Sequence, residues 1–254
     1  MKRIISFLLQ NIPRHYLHRI SHFLLILISP IYRGNNFEDP IDGRTYRKLL
    51  PYGRVNVRKN AFSPHSMALE RHRLIWLYLK EKTDFFMAPH KFLHIAPEYC
   101  FLKPFKNLDN IEYVTGDLIS PWASVKMDIT DMPFADNSFD VIMANHILEH
   151  IEDEKKALSE LYRVMKPGGW GIFQVPLDYS LEKTYEDPTI TDPLERQKHF
   201  LQKDHVRLYG RDYPQRLEAG GFKVTCDDFA RSLDPELAKR YAIANSIIYY
   251  CQKE

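Results

Sequence analysis

Three acids stand just beyond three short apolar runs, where they could do chemistry. Glu98 follows Lys91-Phe-Leu-His-Ile-Ala96, Asp117 follows Ile111-Glu-Tyr-Val-Thr-Gly116, and Asp128 follows Ser124-Val-Lys-Met127. Each run has the length of a buried strand. An acid about 20 residues past a first strand, at the tip of the second, is placed to accept hydrogen bonds from both hydroxyls of a ribose. Asp117 is the candidate for that role. A single Asp after a strand is more often a turn former or helix cap. Asp117 and Asp128 gain weight by occurring together, ahead of the block described next.

That block is Phe139-Asp-Val-Ile-Met-Ala-Asn145-His-Ile-Leu-Glu-His150, followed by Arg163-Val-Met-Lys-Pro-Gly-Gly-Trp170-Gly-Ile-Phe-Gln-Val-Pro176. It reads as a buried strand with a polar tip, a helix closed by Pro-Gly-Gly and a second buried strand. Polar strand ends of this kind are where open α/β sheets bind ligands. Asn145 and His146 occupy the tip. His146-Ile-Leu-Glu149-His150 also matches H-x-x-E-H, a zinc-peptidase pattern whose two histidines would share one face of a helix. Five-residue patterns recur by chance, and the flanking strands belong to a different architecture, so a zinc hydrolase is a remote alternative and no metal is expected. No G-x-S-x-G and no cysteine beside a histidine motif supplies an activated nucleophile. Cys100, Cys226 and Cys251 are widely spaced and odd in number, which indicates neither a disulfide framework nor a zinc site and fits a reducing cytoplasm.

The elements that must position these groups follow in order. Ser63 can cap a helix with Pro64 in its first turn, and Leu69, Leu74, Ile75, Leu77, Tyr78 and Leu79 give it an apolar face to about Lys82. The strands already named come next. Leu177 to Gly210 is a long polar stretch, and loops of that length in a compact domain are usually lids, binding loops or disordered. Its Asp, His, Arg and Tyr content favours a lid in which His205, Arg207 and Tyr209 face a substrate; the alternative is a solvated connection whose charges pair among themselves. Asp212 to Cys226 reads as a helix, a Gly stop and a sixth strand, and Ser246 to Cys251 as the last.

The motifs "FDVI…N…LEH" at 139–150, "RVMKPGG" at 163–169 and "VP" at 175–176 resemble the second half of class I S-adenosylmethionine-dependent methyltransferases. The resemblance covers roughly residues 61–254. It implies an α/β fold with a Rossmann-like, seven-stranded, mostly parallel sheet, helices on both faces and the last strand antiparallel. It implies S-adenosylmethionine as cofactor, with His94, Ala96, Glu98, Asp117, Asp128, Ile129 and Asn145 at the cofactor, Asp128 and Ile129 bordering the adenine. His146, and after it His205, is the candidate for base or acceptor positioning, with His150, Arg207 and Tyr209 toward the substrate. The first motif departs from the family. Most members carry a glycine-rich turn there, whereas this chain has His94-Ile-Ala96-Pro-Glu98-Tyr-Cys100. It is similar in this to a bacterial subgroup with "LHIAPE", "RKNA", "LERHR" and "DHVRLYG". A small Ala96 and a fixed bend at Pro97 suit a variant turn; a pocket that no longer binds cofactor, leaving a binding or scaffold protein, is the alternative. Relatives also carry CPxC pairs where this chain has Asp39-Pro-Ile-Asp42 and Ser63-Pro-His-Ser66. Without thiolates no zinc is expected there.

The chain has 254 residues, 44% hydrophobic and 27% charged, with a net charge of +2. This suits one α/β domain and an extension, gives no case for nucleic acid and favours small-molecule or lipid partners; the resemblance implies a small-molecule or envelope-related methyl acceptor. Residues 1–34 form a distinct basic and apolar segment: the first 37 residues hold Lys2, Arg3, Arg14, Arg19 and Arg33 and no acid. Its apolar run, Phe23 to Ile28, is too short to span a bilayer, and no signal-peptidase site follows it. It reads as a helix lying on an anionic membrane surface or packed on its own domain. Residues 35–60 read as a polar linking segment, and 61–254 as the main domain with an insertion at about 177–210.

Overall fold

The computed structural model describes the backbone of residues 14–53 and 57–254 and, within those ranges, side chains from Ser21 onward. Lys2, Arg3 and the apolar residues from Ile4 to Ile12 of the expected basic segment lie outside the described residues. In chain order the elements are α1 (Arg14–Ile28), β1 (Arg33–Glu38), β2 (Thr45–Tyr46), β3 (Leu50–Tyr52), β4 (Arg58–Phe62), α2 (Glu70–Lys82), β5 (His90–Ile95), α3 (Tyr99–Lys106), β6 (Ile111–Asp117), β7 (Val125–Lys126), β8 (Phe139–Ala144), α4 (Glu154–Val164), β9 (Met165–Ile172), β10 (Tyr185–Glu186), α5 (Pro193–Phe200), β11 (Arg207–Leu208), α6 (Tyr213–Ala219), β12 (Lys223–Asp227), α7 (Phe229–Ser232), α8 (Pro235–Arg240) and β13 (Ile248–Gln252).

These elements form two compact units. One comprises the described residues up to Phe86 with Glu98–Asn107 and Ala230–Ser246; the other comprises Met87–Pro97, Leu108–Phe229 and Ile247–Glu254.

The second unit is built on a seven-stranded sheet ordered β12-β13-β9-β8-β5-β6-β7. β5 pairs in parallel with β6 and β8, β6 with β7, and β8 with β9, while β13 runs antiparallel to both β9 and β12. This is the expected Rossmann-like sheet with its last strand antiparallel. The central strands are apolar on both faces because both are covered: Phe92, Leu93, Val141, Ile142, Met143 and Ala144 are all buried. α4 adds Ala157, Leu158, Leu161 and Val164 to the same core at helical spacing, and Asp153 caps it by accepting from the Lys156 amide.

α4 closes at Val164, before the Pro-Gly-Gly expected to end it; those residues lie in β9. The glycines serve the strand. A Cβ on Gly169 would stand 2.9 Å from the Asp140 carbonyl oxygen, and one on the following Gly171 2.7 Å from that of Ile142, so glycine lets β9 come this near β8. Arg163, at the end of α4, anchors the preceding loop. Its guanidinium donates to Glu160, to the Met132 and Phe134 carbonyls and to Asp136, holding residues 132–136 to the helix.

The first unit corrects two expectations. Residues 35–60, expected as a polar link, include parts of two antiparallel strand pairs, β1 with β2 and β3 with β4, and Ile41, Tyr46 and Leu49 in this stretch are buried. The helix starts at Glu70 rather than Ser63, because Ser63 to Ala68 form a turn in which Met67 takes a left-handed backbone and Ser63 exchanges hydrogen bonds with Met67 and Ala68. That turn meets the segment matching the other thiolate pair. Ser66 donates a hydrogen bond to the buried Asp39, whose other oxygen accepts from the Ile41 amide, and Asp42 pairs with His65 at 2.8 Å. Arg73, fully buried, directs its five N–H groups at Ser63 Oγ and the carbonyls of Ala61, Ala68, Tyr241 and Ala242. Every donor of the guanidinium is satisfied, which is what lets a charge that burial disfavours stay in a core. Among the described residues no helix is long and apolar enough to cross a membrane.

Candidate functional site

The parallel strands end together at one edge of the sheet, and the expected residues are distributed along it. Register pairs Ile95 with Gly116 on one side and with Ala144 on the other, so Ala96, Asp117 and Asn145 succeed one another at neighbouring strand tips. Ala96 takes φ +45° and donates its amide to the Gly116 carbonyl at 2.9 Å. A left-handed backbone costs a residue with a Cβ about 1–2 kcal/mol. The missing glycine has thus been replaced in residue type while the conformation a glycine would supply is kept.

Asp117 is half-buried, and its Oδ1 accepts from the amides of Ile119 and Ser120 at 2.7 and 2.6 Å. These bonds fix the carboxylate beside a depression of about 290 Å³ that it lines with Leu118, Ile119, Ser120, Ala123 and Lys126. Asp128 is exposed and uses Oδ1 to accept from the amide and hydroxyl of Thr130, which hold it below the usual carboxylate range; Ile129 beside it is buried. His94 lies inside β5, buried, with Nδ1 2.8 Å from the Tyr113 hydroxyl. Glu98 opens α3 and falls in the first unit.

The tip of β8 carries the second strained residue. His146 takes φ +55°, and its amide donates to the Gln174 carbonyl at 2.7 Å. Gln174 is itself fixed, donating through Nε2 to the Ile247 carbonyl and accepting at Oε1 from the Tyr249 amide. The chain then makes a 3-10 turn at Leu148–His150, so His146 and His150 do not share the helix face that the motif predicts. Instead His146 Nδ1 lies 3.3 Å from Glu149 Oε1. Glu149 is only 2% exposed. A buried carboxylate at one imidazole nitrogen fixes the tautomer and leaves the other nitrogen as acceptor.

The insertion is ordered by its own bonds. β10 pairs with β11, Leu177 bridges to Tyr209, and the Val206 amide donates to the Glu149 carbonyl. His205 reaches His150 edge-to-face with ring centroids 4.7 Å apart; burial pulls its imidazole below the usual range against the opposing carboxylate of Glu149. Arg207 and Tyr209, expected toward a substrate, are turned inward. The Arg207 guanidinium donates to the carbonyls of Leu148, Ile151 and Glu152 and to Glu186, bracing the turn after β8. Tyr209 is fully buried and donates a hydrogen bond to Glu154. Residue type alone suggests a substrate role for both; the carbonyl groups of a tight turn and a buried acid, invisible to a motif, claim them instead. Gln174, which holds the His146 backbone, escapes sequence reasoning because its side chain pairs with backbone atoms of Ile247 and Tyr249, more than 70 residues further along the chain.

A methyltransferase-domain family model matches residues 105–173. Over 80 residues the chain is 40% identical to the ubiquinone/menaquinone biosynthesis C-methyltransferase of Klebsiella pneumoniae, 30% of this chain and 28% of that one. Over 94 residues it is 35% identical to an uncharacterized protein of Methanocaldococcus jannaschii, 37% of this chain and 42% of that one. The chain therefore spans less than half the length of these relatives. Among solved structures, that of a [4+2]-cyclase superposes with a TM-score of 0.53 at 14% identity, over 92% of this chain and 95% of that one. The matched segment contains Asp117, Asp128 and the whole of β8 and α4.

Proposed function

We propose that this chain, a class I methyltransferase by its motif block and sheet, transfers a methyl group from S-adenosylmethionine to a small-molecule or envelope-related acceptor. The observation that carries the reading is the pair of left-handed residues, Ala96 and His146, at the ends of adjacent parallel strands. Backbone strain of this kind persists where surrounding structure enforces it, and it clusters at ligand sites.

The residues at this edge fit the cofactor. Asp117, its carboxylate oriented by two amides beside an open depression, would accept from the ribose hydroxyls. Ala96 would let backbone approach the methionine end, and Asp128 and Ile129 would border the adenine. When bound, the cofactor supplies a methyl group already activated on a sulfonium. The protein's own part is to hold an acceptor in line, about 3 to 3.5 Å away, and to take its proton where it has one. His146 is placed for that proton: Glu149 engages Nδ1, and Nε2 remains to accept. His150 lies one turn further along, with His205 of the insertion packed edge-to-face against it, and both would contact the acceptor.

A second reading has an observation in its favour. Asp117 and Asp128 each spend one oxygen capping their own turn, as a purely structural aspartate would. A binding or scaffold protein of the same fold would look like this, and a fold does not fix a reaction. Titration of the chain with S-adenosylhomocysteine separates the two.

Contact with an anionic membrane, from a cytoplasmic location, also belongs to this reading. It is supported by Phe23, Leu24, Leu27 and Ile31, all exposed in a segment whose fixed charges are positive. Deleting residues 1–33 should abolish partitioning to anionic vesicles; unchanged partitioning would remove the membrane from the proposal.

A further inference from the structure

The hydrogen bond from the Val206 amide to the Glu149 carbonyl brings the insertion against the turn after β8. One ligand-capable atom each from Glu149, His150 and His205 there lies within 4.8 Å of the other two. Glu149 spends Oε1 on His146, and its Oε2 is buried with no hydrogen-bond partner. A buried carboxylate oxygen left without a donor is destabilising, so it calls for a proton or a cation. The two imidazoles are each oriented through Nδ1 by a backbone carbonyl at 3.1 Å, His205 by Phe200 and His150 by Asp204. That outer bond is the one that fixes the ring and tautomer of metal-binding histidines, and it leaves both Nε2 atoms with lone pairs.

We propose that Glu149 Oε2, His150 Nε2 and His205 Nε2 bind one divalent transition-metal ion of the zinc class. Two imidazoles and a carboxylate suit zinc, cobalt or nickel, with the remaining position open to water or ligand. Donor atoms around such an ion stand about 3.3 Å apart at bond lengths near 2.0–2.1 Å, so binding draws the cluster inward by up to about 1.5 Å. His150, at the rim and partly exposed, provides both the movement and the entry path. The ion joins the insertion to the tip of β8, and through the shared carboxylate of Glu149 it holds His146 in place. The H-x-x-E-H pattern misleads because it counts His146 as a ligand, whereas the third ligand comes from the insertion. This inference goes beyond the methyltransferase reading and does not depend on it.

The test uses the full chain, stripped of metal by dialysis against chelator and titrated with Co²⁺ followed by visible absorption, then with Zn²⁺ by calorimetry. The expected result is one equivalent of Co²⁺ giving visible d–d bands that Zn²⁺ abolishes, with affinity reduced by at least about 10- to 100-fold in Glu149→Gln, His150→Gln and His205→Gln. His65→Gln, in the first unit, should bind as the parent does. His150→Gln keeps the test decisive if a buried variant fails to fold, since circular dichroism of this rim variant should match the parent. Absence of the bands, or undiminished Zn²⁺ affinity in folded His150→Gln, overturns the site. S-adenosylhomocysteine titration of the same chelator-treated sample reports separately on the methyltransferase reading.

Discussion

Ala96 and His146 hold left-handed backbone at +45° and +55° just past Ile95 and Ala144, which are register partners in adjacent parallel strands. Two left-handed positions of the sheet edge are therefore filled by residues that have a Cβ. Ala96→Gly should keep cofactor binding and leave stability within about 1 kcal/mol of the parent, because relief of strain and loss of backbone restriction offset each other. Ala96→Val should lose binding, since a β-branched residue is a true outlier at positive φ. Calorimetry with S-adenosylhomocysteine checks both; undiminished binding in Ala96→Val would show that the turn is not part of the site.

His146 should matter to turnover and not to cofactor affinity. His146→Ala is expected to slow release of S-adenosylhomocysteine in the presence of acceptor by about 100-fold or more, with cofactor binding unchanged. Full activity in that variant would end its role as base.

Arg207 should matter to the order of the insertion. It is buried, and three of its acceptors are carbonyls of the turn after β8. Arg207→Met removes the charged donor from all three carbonyls and should cost about 3 kcal/mol or more, seen as a lower Tm and faster hydrogen exchange across 185–210. Exchange unchanged there would mean that β10 and β11 hold the insertion unaided.

The pH dependence of stability should carry a contribution from Glu160. Hydrogen bonds from Arg163, with the Met132 amide, hold its carboxyl below the ordinary value of 4.5. A carboxyl depressed in the folded state contributes stability that is fully present above the unfolded value and lost as pH falls through the folded one. Glu160→Gln should therefore destabilise by about 1 kcal/mol at pH 7, a modest figure because Arg163 is partly exposed, and the gap should close below pH 4.5. A gap that persists in strong acid would assign the effect to packing.

Much of the sheet is legible in the chain. Lys91 to Ala96, Ile111 to Gly116 and Phe139 to Ala144 are apolar runs of strand length, and they form β5, β6 and β8, each paired in parallel on both sides. What the sequence conceals depends on partners distant along it. Ser63 looks like a cap, but Ala68 and Arg73 draw it into a turn. Residues 35–60 look like a link because their few buried side chains, among them Tyr46, are scattered singly through polar sequence. His146 to His150 match a helical motif, yet the Gln174 and Arg207 contacts shape a tight turn. Residue type locates the sheet edge; the competition of backbone carbonyls for Arg and Tyr side chains decides which of them face a ligand.

The methyltransferase reading stands or falls on Asp117 gripping a nucleoside at the tip of β6, and calorimetric titration of the full chain with S-adenosylhomocysteine addresses this without intermediaries. Saturable one-to-one binding is expected, weakened by about 10- to 100-fold in Asp117→Ala, the loss typical of hydrogen bonds to a charged acceptor. Absence of binding to the parent chain, or equal affinity in folded Asp117→Ala, would refute it.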